Sequence, residues 1–235
     1  MRNYKNKKIV DIILGVLIVF VFAVAFLPSK VITVYSGNEN QPIYSGNKSS
    51  NSVALTFNVY ESAENVYKII EILKSNNATA TFFVGGCFAD DNKEVLEKII
   101  ESGNELGNHG YFHKDHKKLN EEGNLREIQD THKIVSALVG YEMKLFAPPS
   151  GSFSKTTLKV AKSLGYQTIM WTKDTIDWRD SDKNLIIKRA TDKVTAGDII
   201  LMHPKNHTVD ALQDILTFIK NKGLNCVTVT DCCGL

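Results

Sequence analysis

From residue 53 onward the sequence alternates short apolar runs with helix-period segments, and that alternation restricts the chain to a few architectures. VALTFNV (53–59) precedes an amphipathic stretch over about 63–75, whose Val66, Ile69, Ile70 and Leu73 share one face. TATFFVG (79–85) reads as a strand, NKEVLEKIIES (92–102) as a helix, and ELGNH (105–109) as a strand. A long helix over 121–139 leads to a strand at 144–147, helix 154–164 and strand QTIMW (167–171). Helix 184–194, strand DIILM (198–202), helix 208–222 and strand NCVTV (225–229) complete the series. Seven strand-like runs, mostly separated by helices, predict an α/β fold around a parallel sheet, open or closed into a barrel. The notable polar clusters all follow strands, the edge at which such sheets carry their chemistry.

The start of the chain obeys a different rule. MRNYKNKK is basic, and Ile9 to Leu27 is almost wholly apolar, with Asp11 its only charge. As a helix this stretch rises about 28 Å, close to the hydrocarbon thickness of a bilayer. Arg2, Lys5, Lys7 and Lys8 hold the N-terminus inside, so the reading is a cytoplasmic tail (1–8) and a transmembrane signal-anchor (9–27). The protein is then a single-pass resident of the cell membrane with its domain outside. Ala23-Val24-Ala25 has the form of a signal-peptidase site, but it is embedded in the apolar run, which favours an uncleaved anchor. Residues 28–50, rich in Ser, Asn and Gly, read as an extracytoplasmic stalk, with Val31–Tyr35 a candidate short strand. The domain proper is expected over 51–235.

The 235 residues suffice for one domain with such appendages. A net charge of +2, much of its basicity in the first eight residues, argues against nucleic acid. Cys226, Cys232 and Cys233 cluster at the end, far from Cys87 in sequence, without the CxxC spacing of a zinc site.

The clusters past the strands are individually modest. HGYFH sets His109 and His113 four apart, a spacing that lets two imidazoles meet one ion. His116 and His132 lack such company and are expected to be solvated. FAPPSGSF (146–153) is a stiff turn at a strand end, able to shape a pocket wall. WTKDTIDW brings Asp174, Asp177 and Trp178 after a strand: a carboxylate to orient an imidazole, an indole to stack on a sugar. IILMHP delivers His203 to the sheet rim.

Their order resembles the polysaccharide deacetylases of the NodB-homology family, over nearly all of residues 50–233. That family carries, in order, TFDDG, His-Ser/Thr-x-x-His, Arg-x-Pro-Pro, Asp-x-x-Asp-Trp and Leu-x-His. Here stand Thr56-Phe57-Asn58-Val59-Tyr60, His109 to His113, Ala147 to Gly151, Asp174 to Trp178, and Leu201-Met202-His203. The resemblance, closest to a divergent branch from spore-forming bacteria, implies a distorted (β/α) barrel of about seven strands. It implies removal of N-acetyl groups from a cell-wall or spore-cortex glycan: peptidoglycan, or a chitin-like polymer. It further implies a divalent metal, zinc in most members, on His109 and His113. His203 would serve as the acid with Asp177 behind it, and Trp178, Leu201 and Pro149 would form the substrate wall.

The departures from the pattern are specific. Asn58 aligns with the family's base, Val59 with its metal-binding Asp, Ala147 with its Arg and Gly110 with its Ser/Thr. An Arg facing a neutral Asn would be a cation without its partner, so the first and third losses belong together. An amide takes no proton at neutral pH, which removes general-base assistance of about 100- to 10,000-fold. Glu61 and Glu64 are the nearest carboxylates and could substitute if the loop folds inward, but the favoured expectation sets them in the first turn of the following helix. Two readings follow: an exported deacetylase with Asn58 in a rearranged catalytic site and a weakened metal, or a silent domain that binds glycan or a protein partner at the membrane.

Overall fold

The computed structural model describes residues 41–235. The basic tail, the apolar segment 9–27 and the stalk as far as residue 40, including Val31–Tyr35, lie outside the described residues. Among the described residues no helix is long and apolar enough to cross a membrane.

The sheet is organised on β1 (Ser52–Val59), buried from Val53 to Val59. A strand covered on both faces reads as a continuous apolar run, which is why VALTFNV carries so little alternation. β1 pairs in parallel with β2 (Thr81–Val84), with β7 (Ile199–Met202) and, at its start, with β8 (Asn225–Val227). Beyond β2 lie β3 (Glu105–Asn108), β4 (Leu145–Phe146) and β5 (Gln167–Thr168); beyond β7 lies β6 (Lys173–Asp174). Every pairing is parallel. The sheet curls into a half-barrel, seven strands on one path with β8 beside it, and β5 and β6 form the two ends.

The pleat of β1 sorts its side chains. Val53, Leu55, Phe57 and Val59 join the large cluster that packs the sheet against helices such as Ala63–Ser75 and Asn206–Asn221. Ala54 belongs instead to a smaller cluster with Phe83, Ala147 and Ile199. Asn58, at the carboxyl end, opens into the cavity described below.

Several elements differ from expectation. The segment read as the end of the stalk is built into the domain: Ile43 is buried and bridges Ile169. The Gly46 N–H donates to the Gly197 carbonyl at 2.7 Å and the Asn47 N–H to that of Cys232 at 2.9 Å. These bonds lace residues 43–47 to β5, the start of β7 and the C-terminus, so the domain begins before residue 51. Strand 167–171 stops at Thr168, and a second short strand, β6, follows it. The expected strand through 229 ends at Val227, and Val229–Cys233 forms a helix capped by Thr228, with Val229, Cys232 and Cys233 in the smaller cluster. A helix over Gly86–Asp91 fills what read as a loop. All four cysteines are free, and burial pushes the Cys226 and Cys233 thiols up to about 12, which makes them packing groups.

Candidate functional site

A cavity of about 460 Å³ opens at the carboxyl ends of the strands. It brings together Asn58 from β1, His109 and His113 from the loop after β3, Trp178 from the loop after β6, and Leu201 and His203 at the end of β7. Asp177 is not part of its wall; it is 1% exposed and sits behind His203. Pro149 is buried beside Gly110, and the wall on that side is Ser150, which has a φ of 55°.

The His203 side is tightly ordered. Its Nδ1–H donates to Asp177 Oδ1 at 2.7 Å, since an ionised carboxylate only accepts. The other oxygen accepts the His203 backbone N–H at 2.7 Å and the Thr208 hydroxyl at 2.6 Å. His207, which the sequence reading passed over, donates from Nε2 to the Asp177 carbonyl at 2.7 Å. Asp177 is thus satisfied inside the fold and fixes both the tautomer and the plane of His203.

The facing pair is equally constrained. His109 is 1% exposed and donates from Nδ1 to the Ala147 carbonyl at 2.7 Å. Burial pulls its pKa down to about 3, against the opposing pull of that hydrogen bond, so the ring is neutral at pH 7. Burial also lowers the pKa of His113, which has a φ of 54°. The two rings lie 5.3 Å apart, centroid to centroid.

The loop joining them leaves no backbone N–H free. Asn108 Oδ1 accepts from Gly110 at 2.9 Å, and buried Glu127 accepts from Tyr111 and Phe112 at 2.9 and 2.8 Å. The Tyr60 hydroxyl accepts from His113 at 2.8 Å. Gly110 itself holds φ +73° with His116 Nε2 3.0 Å from where a Cβ would stand, which explains the missing Ser/Thr.

Asn58 is the exception in this ordered setting. Its residue is 7% exposed, and Oδ1 has no hydrogen-bond partner.

Two expectations on histidine fail. His116 is fully buried, not solvated. Asn124 spends its amide hydrogens on backbone carbonyls, so its Oδ1 must accept from His116 Nδ1 at 2.8 Å. Nε2 of His116 is left unpartnered. His132 is partly buried between the Tyr166 hydroxyl at 2.6 Å and Glu142 at 3.1 Å. Neither position carries a sequence signal beyond its helix register.

The divalent ion implied by the motifs does not fit the residues present. The third ligand position is Val59, 0% exposed and packed in the helix-facing cluster. Among the described residues no group of three His, Cys, Asp or Glu is arranged to hold a metal. Two neutral imidazoles without a carboxylate leave a dication short of both ligands and charge. Ala147, where the motif has Arg, is 4% exposed and gives the site only its carbonyl.

Sequence reasoning did not single out Tyr60, Trp171 and Lys205 as wall residues, it offered Asp174 as a carboxylate able to orient an imidazole, and it favoured a helical turn for Glu61. Glu61 instead pairs with Lys205 at the cavity, and Glu64 pairs with Lys68 at 2.6 Å in the first turn of helix Ala63–Ser75.

Comparison with known proteins gives a consistent set of relatives. Residues 45–169 match the polysaccharide deacetylase family model. The Bacillus subtilis protein YlxY is 37% identical over 81% of this chain, and the match spans 60% of its own length. A peptidoglycan-N-acetylglucosamine deacetylase of Bacillus cereus is 34% identical over 79% of this chain and 70% of its own. A solved CE4 family pseudoenzyme from Bacillus anthracis superposes with a TM-score of 0.79 at 35% identity, covering 82% of this chain and 68% of that one. A mutant of that pseudoenzyme, described as having restored enzymatic activity, superposes equally well.

Proposed function

This chain belongs to the polysaccharide deacetylase family, and we propose that it binds an N-acetylated cell-wall glycan in the family groove without hydrolysing it. The observation that carries this reading is Asn58. It is an amide lining the cavity where the family motif has a carboxylate base. An amide cannot accept the proton of an attacking water, but it can accept a hydrogen bond from the N–H or O–H of a sugar. Trp178, 56% exposed, offers the ring face on which a pyranose stacks. His203, held by Asp177, offers a fixed polar partner beside it. Neutral imidazoles and an amide form a floor suited to an uncharged acetamido sugar. The pseudoenzyme from Bacillus anthracis is a precedent, in a relative, for the fold persisting without turnover.

Residues 9–27 tether the domain outside the cell membrane in this account, next to the glycan it binds. The second reading, a slow peptidoglycan N-deacetylase, is favoured by one observation, the intact His203–Asp177 pair, which a binding module does not require. The test is calorimetry of the full chain with N-acetylated chitooligosaccharide. Truncation of an aromatic anchor costs more than about 1 kcal/mol, so Trp178→Ala weakens affinity by about fivefold or more. Equal affinity of the variant, or no binding by the parent, overturns the reading.

A further inference from the structure

We propose that Tyr60 is a positioning residue that does with a hydroxyl what a bound ion does in metal-dependent relatives: it holds His109 and His113 together at the cavity. The residues present fit a divalent ion poorly. With Val59 packed into the core, something else must fix two imidazoles on a loop whose second histidine has a positive φ.

Tyr60 is placed to do so from both sides. Its hydroxyl hydrogen is directed to the Gly110 carbonyl at 2.8 Å, with the His109 carbonyl at 3.1 Å sharing it. Its oxygen accepts the His113 N–H at 2.8 Å. One atom therefore ties the backbone at both ends of the His109–His113 loop, using its donor and an acceptor position at once. The ring completes the contact, edge-on to His113 at 4.7 Å and tilted against His109 at 5.5 Å. With the two imidazoles 5.3 Å apart, the three rings form a closed triangle. Burial raises the Tyr60 pKa, which keeps the hydroxyl a donor.

The surroundings are cut to this ring. A Cβ on Gly85 would stand 2.2 Å from Tyr60 Cζ, closer than any real contact, so glycine at the end of β2 is what admits it. Tyr60 directly follows Asn58 and Val59 in the chain. The strand end that lacks the family's two carboxylates supplies the replacement clamp. The other loop anchors, Asn108 and Glu127, serve Gly110 to Phe112 and leave the His113 N–H to Tyr60 alone.

The test is amide hydrogen exchange of the full chain without glycan, so its outcome is independent of the glycan reading. In the parent, exchange at His113 is slow and unchanged by chelator. Tyr60→Phe keeps the ring and removes both bonds; His113 exchanges about tenfold faster and the His109–His113 ring-to-ring nuclear Overhauser contacts weaken, while β1 and β2 amides do not change. Gly85→Ala, which displaces the ring with its hydroxyl intact, gives the same local signature. A general loss of structure would speed all of these amides together. An unaffected His113 or unchanged His109–His113 ring contacts in both variants, equal acceleration of all amides, or release of His113 in the parent by chelator alone overturns this role. Should the exchange result hold while N-acetylated oligosaccharide fails to bind, the clamp stands and only the glycan reading falls.

Discussion

Replacing Val59 by Asp restores the family's third ligand on paper, yet the structure predicts a damaged protein without a metal site. Val59 is 0% exposed, pairs with Val84 across the sheet and packs against the helix layer. Removing its side chain from that layer forfeits about 1.5–3 kcal/mol of burial. An unpaired carboxyl put in its place adds about 1–3 kcal/mol even when it stays protonated. The sum, about 2.5–6 kcal/mol, lowers the melting temperature by roughly 5–24 °C for a domain of this size. The sign with pH is also fixed. Burial raises the introduced carboxyl's pKa above its unfolded value, so the deficit is smallest at acidic pH and grows as pH rises through the folded pKa. The assay is thermal unfolding of parent and variant at pH 5 and pH 7, followed by zinc titration. A variant melting within about 2 °C of the parent and binding one zinc per chain would show that the strand end turns inward, and would refute the packing argument.

Other outcomes follow from the same geometry. Asp177→Asn deprives His203 of its carboxylate and places amide hydrogens where Asp177 now accepts, so urea unfolding shows a loss of about 2–4 kcal/mol. The folded pKa of His109 is depressed to about 3 by burial, so its contribution is present above the unfolded value near 6.5 and is lost as pH falls from there toward 3. His116 shifts in the same direction, and His109→Gln flattens the fall in melting temperature across that window. If residues 9–27 anchor the domain outside, protease added to intact protoplasts digests it; a protected domain contradicts the topology.

Much of the architecture was legible because parallel strands buried on both faces leave apolar runs, and their helices keep one apolar stripe. VALTFNV and DIILM read clearly for that reason. The short edge elements did not, because two-residue strands such as Gln167–Thr168 and Lys173–Asp174 carry no period to detect. Ile43 was read into a stalk because its neighbours are polar; only the folded sheet supplies the hydrogen bonds that hold it. At the site, the family motifs marked His109, His113 and His203, whose positions follow strand ends. Tyr60 was invisible for a different reason. Its role depends on Gly85 and on the backbone of a loop some fifty residues away, and such a three-part contact leaves no local pattern.

One proton NMR titration follows both the recognition of an acetamido glycan and the absence of its hydrolysis. The full chain is mixed with N-acetylated chitooligosaccharide in the presence of zinc, and the Trp178 indole, the His203 ring and the free acetate methyl are followed together. The expected result is saturable shifts at Trp178 and His203 with no growth of free acetate over a day. Acetate appearing in proportion to protein, or protein signals that never move, would contradict it.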